Sequence, residues 1–417
     1  MFMPVANSPG CPFTLGTSGD GNHAEASFLR AAGPAPSVIL PGGLRARAIV
    51  SGQLARRLLL NSAVSRDARM HSRLYVDGEL NVDGVIGTWV STHNALNSYG
   101  EDHRRLRRPL AAALAHRQVK TMEPLIGSVV RAALDEIDRS PEKTIDLMDQ
   151  YARKVPLAVM ASLLGIRESL RNSFQRASSG LFATDLPPSQ AAAHHHTMSQ
   201  LLSDLIAEKR QHPDDDLASD LIAAADQEDQ ALSDAELRDQ ILLLISAGTE
   251  TTVTSIATLL ADLLGHPEEM SKITEGAATL EDALEESLRR HGPIASVPLR
   301  FAVTGFTDEA TGESFEAGEP ILINFASAGR DEELHGPTAP LYDITRPTSR
   351  EHLAFGLGAH LCPGAPLARR ETLIAVREWL HRFPKTRLAP GGATPLPSWI
   401  TNGYAELRVT PRGSEDR

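Results

Sequence analysis

His352–Glu371 reads HLAFGLGAHLCPGAPLARRE, and the rest of the chain is organised around it. Gly356, Gly358 and Gly364 flank one thiol, Cys362. Glycine permits tight turns and close approach of backbone to a ligand. The apolar run with arginines after Cys362 is long enough to start a helix. A cysteine just before a helix N-terminus can stay a thiolate, because the dipole and the terminal N–H groups favour the charge. The stretch reads as a socket that presents one soft ligand atom to something large and flat. Haem iron with an axial thiolate fits that description. Taken alone, Cys362 also fits a small buried hydrophobe, and Gly356 to Gly358 fits an ordinary turn. No nearby second cysteine supplies the usual zinc spacing.

Residues 233–265 read SDAELRDQILLLISAGTETTVTSIATLLADLLG. Ser233 with Glu236 is a capping-box signature, and an apolar helix of about 30 residues follows. A helix apolar around its circumference is buried. Yet AGTETT puts Gly248, Glu250 and Thr251 at its centre. A mid-helix Gly costs about 1 kcal/mol relative to Ala, and a buried carboxylate costs more. Such local violations mark function. Ala247 and Gly248 leave room beside a bulky flat group. The Thr251 hydroxyl can bond the Ala247 carbonyl and open the helix into a notch for dioxygen and water. Glu250 can pass protons.

Two further clusters stand out. In YGEDHRRLRRPLAAALAHRQV, His103 and Arg107 are four apart and share a helix face able to hold a carboxylate or phosphate. Composition alone reads the same run as a solvated charge cluster. In LEDALEESLRRH, Glu286 and Arg289 are three apart and can pair.

Taken together, these strings resemble the cytochrome P450 family. The match at the cysteine covers Phe355, Gly356, Gly358, His360, Cys362, Gly364, Leu367, Ala368 and Arg369, with Pro363 where many relatives carry Leu. AGTET resembles the family's acid–alcohol motif, with Thr249 in place of a common His. EESLR resembles its Glu-x-x-Arg motif. The resemblance implies a mainly α fold with small β-sheets, one large domain over 31–410, and a long central helix. It implies haem b with Cys362 as the iron ligand and Phe355 packed beside the sulfur. His103, Arg107, Arg300 and His360 would contact the propionates. Glu250 would deliver protons, and Thr251 would position the oxygen ligand or its water. Glu286, Arg289 and Arg346 would form a buried scaffold behind the cysteine loop. Substrate would meet Val85, Ile86, Trp89, Val90, Phe182, Leu186, Leu244, Ile294, Ala295, Ser296, Val297, Trp399 and Ile400. For each of these, plain packing is an equal reading.

The implied activity is a monooxygenase that uses O2 to hydroxylate a small hydrophobic or natural-product substrate in bacterial secondary metabolism. Oxidative coupling without oxygen insertion is one alternative, and a non-catalytic haem-binding sensor is another. No reductase motif appears, so electrons are expected from NAD(P)H through a ferredoxin and its reductase. Arg104, Arg105 and Arg108 would remain outside as a basic patch for such a partner.

The chain has 417 residues and a formal net charge of -12, which argues against general nucleic-acid binding. Cys11 and Cys362 are the only cysteines, and no disulfide is expected. There is no signal-peptide pattern and no apolar run of roughly 18 residues. A cytoplasmic monomer without membrane contact is the expectation. Residues 1–30 read as an irregular leader and 411–417 as a flexible tail. SVIL and RAIV around PGG predict a hairpin, and LPSWITNGYAELRV predicts a terminal one. Adjacent His194, His195 and His196 point in different directions on a helix and make a poor metal site.

Overall fold

The computed structural model describes residues 13–16, 22–80, 85–114, 116–182, 188–226 and 231–412. The capping box at Ser233 closes as the sequence predicts. Ser233 N–H donates to Glu236 Oε2 at 2.9 Å, and Glu236 N–H donates to Ser233 Oγ at 3.2 Å. From it the helix Asp234–Gly265 runs for 32 residues. It is long and apolar enough to cross a membrane, but 61% of its most apolar window is buried, as in the core helix of a folded domain.

The chain packs as two compact units. One runs through Thr92, resumes over Ala257–Cys362 and ends with the stretch from Lys385. The other holds His93–Ile256 and Pro363–Pro384.

The first unit contains a six-stranded sheet. Ser37–Ile39 pairs antiparallel with Arg45–Ile49, the hairpin predicted around PGG. Arg45–Ile49 pairs parallel with Pro320–Asn324, and that strand pairs antiparallel with Ser296–Ala302. Val38, Ala48, Leu299, Phe301 and Leu322 fill a core on this sheet. Residues 22–30, expected as part of an irregular leader, lie in the helix Asn22–Ala31. Asn22, Glu25, Ala26 and Leu29 are its buried positions, one helical face too short to stand out beside a Pro/Gly-rich leader. Cys11 and residues 413–417 lie outside the described residues.

The terminal hairpin also differs from expectation. Its first strand is Arg387–Pro395, which pairs with Tyr404–Thr410, and LPSWITNG is the connection. The Pro-Gly-Gly of the first strand is accommodated by a register break between Leu388 and Ala393.

In the second unit, the helix Ala365–Arg382 packs on His116–Arg139. Trp379 is fully buried there beside Tyr151, whose hydroxyl donates to the Ala375 carbonyl at 2.7 Å. Glu371 is also buried on this helix, and its Oε1 has no hydrogen-bond partner among the described residues. Burial raises its carboxyl from 4.5 to about 8.

The folded chain therefore keeps a proton that the unfolded chain releases above pH 4.5. This group favours the native state fully below pH 4.5, and the contribution is lost as pH rises to about 8. The whole effect is about 5 kcal/mol. Glu371→Gln is expected to remove this part of the pH dependence. Denaturant unfolding across that range checks it, and an unchanged slope in the variant contradicts it.

Candidate active site

The loop before Cys362 is wound by its glycines. Gly356 and Gly358 both have φ +73°. A Cβ at Gly358 would fall 2.7 Å from the Leu59 carbonyl oxygen, so only glycine passes there unstrained. The Cys362 N–H donates to the Phe355 carbonyl at 2.8 Å and closes the loop. Gly358–His360 is a single 3-10 turn inside it. Cys362 is half-buried, and the helix Ala365–Arg382 starts three residues later, with Gly364 as its N-cap.

The helix Leu280–His291 braces this loop with two adjacent carboxylates. Glu286 accepts from Arg289 Nε at 2.6 Å and from Arg346 Nε at 3.1 Å. It also accepts the Asp343 N–H at 3.1 Å. The Glu286 and Arg289 side chains are wholly buried. The predicted triad is therefore assembled. Beside it, Glu285 Oε2 lies 3.0 Å from His352 Nε2, where the cysteine loop begins. Sequence reading missed Glu285 and His352. No local pattern links positions 67 residues apart.

Arg300 lies in the strand Ser296–Ala302. Its guanidinium is buried, and Nη1 has no partner among the described residues. Burial pushes it down to about 10. Arg66, also missed, is buried in the same unit and donates to the Pro298 carbonyl at 3.1 Å. Burial and then the charge of Arg300 hold Arg66 well below its usual range.

In the second unit, the hydroxyl-to-carbonyl bond expected at AGTET is made, within a continuous helix. Thr251 Oγ1 donates to the Ala247 carbonyl at 2.6 Å, and Thr252 Oγ1 donates to Gly248 at 2.8 Å. Ala247 is exposed in the middle of a mostly buried helix. The space left by Gly248 is taken by Met160, whose Cε would lie 2.6 Å from an added Cβ. Burial raises the Glu250 carboxyl above its ordinary value, opposed by the Arg153 guanidinium. Next to it, the buried Thr249 hydroxyl has no protein partner among the described residues.

His103 is buried and Arg107 half-buried on the helix Gly100–Ala113. Burial, then the charges of Arg107 and Arg104, lower His103 to about 4. The neighbouring arginines depart from the predicted basic patch. Arg104 is exposed but paired with Glu101. Arg105 is drawn inward, at 2.7 Å from Asp102 and paired with Glu236. Carboxylates thus offset two of the three charges expected to remain open.

The candidate substrate residues of the first unit converge. Ile86, Val90, Trp399 and Ile400 are buried in one apolar cluster, with Trp89 packed against it. Ala295 N–H donates to the Ile400 carbonyl at 2.8 Å, and Ile294 bridges to Thr401. Ala295 and Ser296 are buried, whereas Ile294 and Val297 are half-buried. Leu244 is buried in the second unit. Leu186, and the side chains of Val85 and Phe182, lie outside the described residues.

A family model described as cytochrome P450 matches residues 82–397. The chain belongs to the cytochrome P450 family. This P450 is 32% identical over 406 residues to the 2-hydroxy-5-methyl-1-naphthoate 7-hydroxylase of Streptomyces carzinostaticus, covering 97% of this chain and 98% of the relative. It is 34% identical over 383 residues to the cytochrome P450 monooxygenase PikC of Streptomyces venezuelae, covering 91% and 89%. The solved structure of CYP154A1 from Streptomyces coelicolor A3(2) superposes with TM-score 0.87 at 38% identity, covering 96% of this chain and all of that one. The mainly α architecture with small sheets is therefore the P450 fold, and the protein is a P450 monooxygenase of the bacterial class. Membership implies a haem-thiolate cofactor, dioxygen and electrons from redox partners.

The residues present fit such a cofactor. A buried guanidinium costs several kcal/mol unless an anion meets it, and Arg300 Nη1 has no partner among the described residues. A haem propionate has the charge it lacks. Ala247 bares apolar helix surface of the kind a flat macrocycle covers.

Proposed function

We propose that this P450 hydroxylates a small hydrophobic natural product, with Cys362 as the axial thiolate of haem b. The observation that carries this reading is the Thr251 hydroxyl bonded to the Ala247 carbonyl beside a desolvated Glu250. That pairing is a proton-handling element inside a helix that needs none for packing.

When bound, haem supplies iron-centred activation of dioxygen, with electrons from NAD(P)H through a ferredoxin and its reductase. The protein's own groups divide the remaining work. The Cys362 sulfur keeps its negative charge next to the N-terminus of Ala365–Arg382. Arg300 and His360 of the first unit, and Arg107 and His103 of the second, would each be available to the carboxylate groups of the cofactor. Glu250, raised by burial, holds a proton on its carboxyl at neutral pH more readily than an exposed glutamate does. Thr251 Oγ1 would keep an ordered water beside the Ala247 carbonyl. Ile86, Val90, Trp399 and Ile400 exclude bulk water and present apolar surface to substrate, with Trp89 and Ile294–Val297 as further walls. The naphthoate 7-hydroxylase supports hydroxylation of a small organic substrate, and a cytoplasmic role in secondary metabolism is part of the same proposal.

Thr251→Ala is expected to uncouple the enzyme. Electron consumption continues, while product carrying label from isotopically labelled dioxygen falls about 100-fold. Mass spectrometry of product against electrons consumed is the measurement. Unchanged product per electron contradicts the role of Thr251. Product lacking labelled oxygen contradicts hydroxylation and favours coupling.

A further inference from the structure

Glu285 and Glu286 are neighbours on the helix Leu280–His291, and they hold two different points of the chain that leads to Cys362. Glu286 holds Arg346, ahead of the 3-10 turn Ser349–Glu351. Glu285 holds His352, the residue that caps that turn. The first contact secures the approach to the cysteine loop, and the second enters the loop.

The His352 ring is bonded at both nitrogens. Nε2 lies 3.0 Å from Glu285 Oε2, and Nδ1 accepts the Ala354 N–H at 3.2 Å. An Nδ1 that accepts leaves the ring proton on Nε2, which donates it to the carboxylate. A bond to a carboxylate is charge-assisted and is the stronger of the two. The His352 and Glu285 side chains are each 3% exposed, so water competes little for either bond. Arg350 approaches the other Glu285 oxygen at 3.8 Å from a largely exposed position. An imidazole bonded at one end to a separate helix and at the other to its own loop has its orientation fixed.

That ring clamps one peptide plane. The Leu353 carbonyl and the Ala354 N–H belong to the same planar unit. The N–H is held by His352 Nδ1, and the carbonyl accepts the Gly356 N–H at 2.8 Å. The end of Leu280–His291 also presses on this point, because a Cβ at Gly292 would lie 3.2 Å from the Ala354 Cβ. Phe355 comes next in the chain, and its ring stands 6.0 Å from the His352 ring, tilted by 47°. The Phe355 carbonyl receives the Cys362 N–H at 2.8 Å. A chain of printed bonds thus runs from the Glu285 carboxylate through His352 to the backbone of Cys362.

We infer, on the reading of Cys362 as the axial ligand of haem b, that His352 is a positioning residue for the thiolate. Glu285 orients its ring, and the ring fixes the Leu353–Ala354 peptide that aims Phe355 and Cys362. His352 acts through the backbone rather than on the sulfur. Outer partners of this kind hold a ligand atom in the geometry that its metal needs.

The test uses the purified holoenzyme and two variants that each keep half of the pair. His352→Asn places an oxygen near Nδ1 and keeps the acceptor for Ala354. His352→Gln places an amide near Nε2 and keeps the donor to Glu285. Resonance Raman of the ferric holoenzyme reads the iron–sulfur stretching band, and both variants should shift or broaden it. Amide hydrogen exchange in the peptide 353–362 should quicken at least about tenfold in His352→Gln, where the Ala354 N–H loses its partner. Tyr151→Phe is the control for general loss of stability, since it removes a buried hydroxyl bond to the Ala375 carbonyl. It should lower the unfolding midpoint and leave the band in place. An unmoved band in both His352 variants overturns the inference, as does unchanged exchange in His352→Gln or an equal band shift in Tyr151→Phe. Where a variant holds too little haem for Raman, the exchange rate decides. A wild type without an iron–sulfur band overturns the Cys362 reading and the role of His352 with it.

Discussion

Glu286→Gln is expected to lower the unfolding free energy by about 3–5 kcal/mol and to yield a protein that does not retain haem. The size of the effect follows from what the carboxylate holds. Arg289 and Arg346 both pair with it, and the Asp343 N–H adds a third kind of donor. The Glu286 side chain has no exposure to water. A neutral amide would leave two buried guanidinium groups without a counter-charge, and removing one partner of a buried pair is what costs most.

The consequence would spread along the chain. Arg346 also donates to the carbonyls of His335 and Thr338, at 2.9 and 2.8 Å. It thereby fixes the segment that leads into the cysteine loop. Denaturant unfolding together with haem content per chain tests this prediction. Near-native stability with full haem occupancy in the variant would show that the triad is not the scaffold argued for it.

The parts of the fold legible in sequence were those written in local pattern. The helix Asp234–Gly265 was readable because its apolar residues leave no polar face and Ser233 with Glu236 marks its start. The Thr251 bond to Ala247 was readable because a hydroxyl four residues along a helix reaches that carbonyl. The cysteine loop was readable from Gly356 and Gly358, whose positive φ and close backbone neighbours need glycine.

What escaped was long-range. Arg105 looked open from its run of basic neighbours, yet it pairs with Glu236, 131 residues away. Arg66, which no motif marks, is buried and feels the charge of Arg300. Glu285, which no local pattern singles out, meets His352 67 residues away. The helix Asn22–Ala31 shows only four buried positions and offers too short a period to read. The strand Arg387–Pro395 was obscured because its Pro-Gly-Gly resembles a turn, and only pairing with Tyr404–Thr410 makes it a strand.

Cys362→Ala is expected to have the largest effect on activity, reducing electron-driven turnover to background. With haem bound, the Cys362 thiolate would donate electron density to the iron, and an alanine methyl has no lone pair to give. The substitution is mild for the fold. Loop closure uses the backbone N–H of residue 362 to the Phe355 carbonyl, which alanine keeps, and the position is only half-buried. The brace from Glu285 and Glu286 lies elsewhere. Loss of function in a folded variant would therefore report on the sulfur itself.

The most direct measurement is the reduced carbon monoxide spectrum of wild type and Cys362→Ala, recorded with reductant-dependent turnover on the same preparations. A thiolate-type spectrum and turnover in the wild type, both lost in the variant, is the predicted result. A variant that keeps both would contradict Cys362 as the iron ligand.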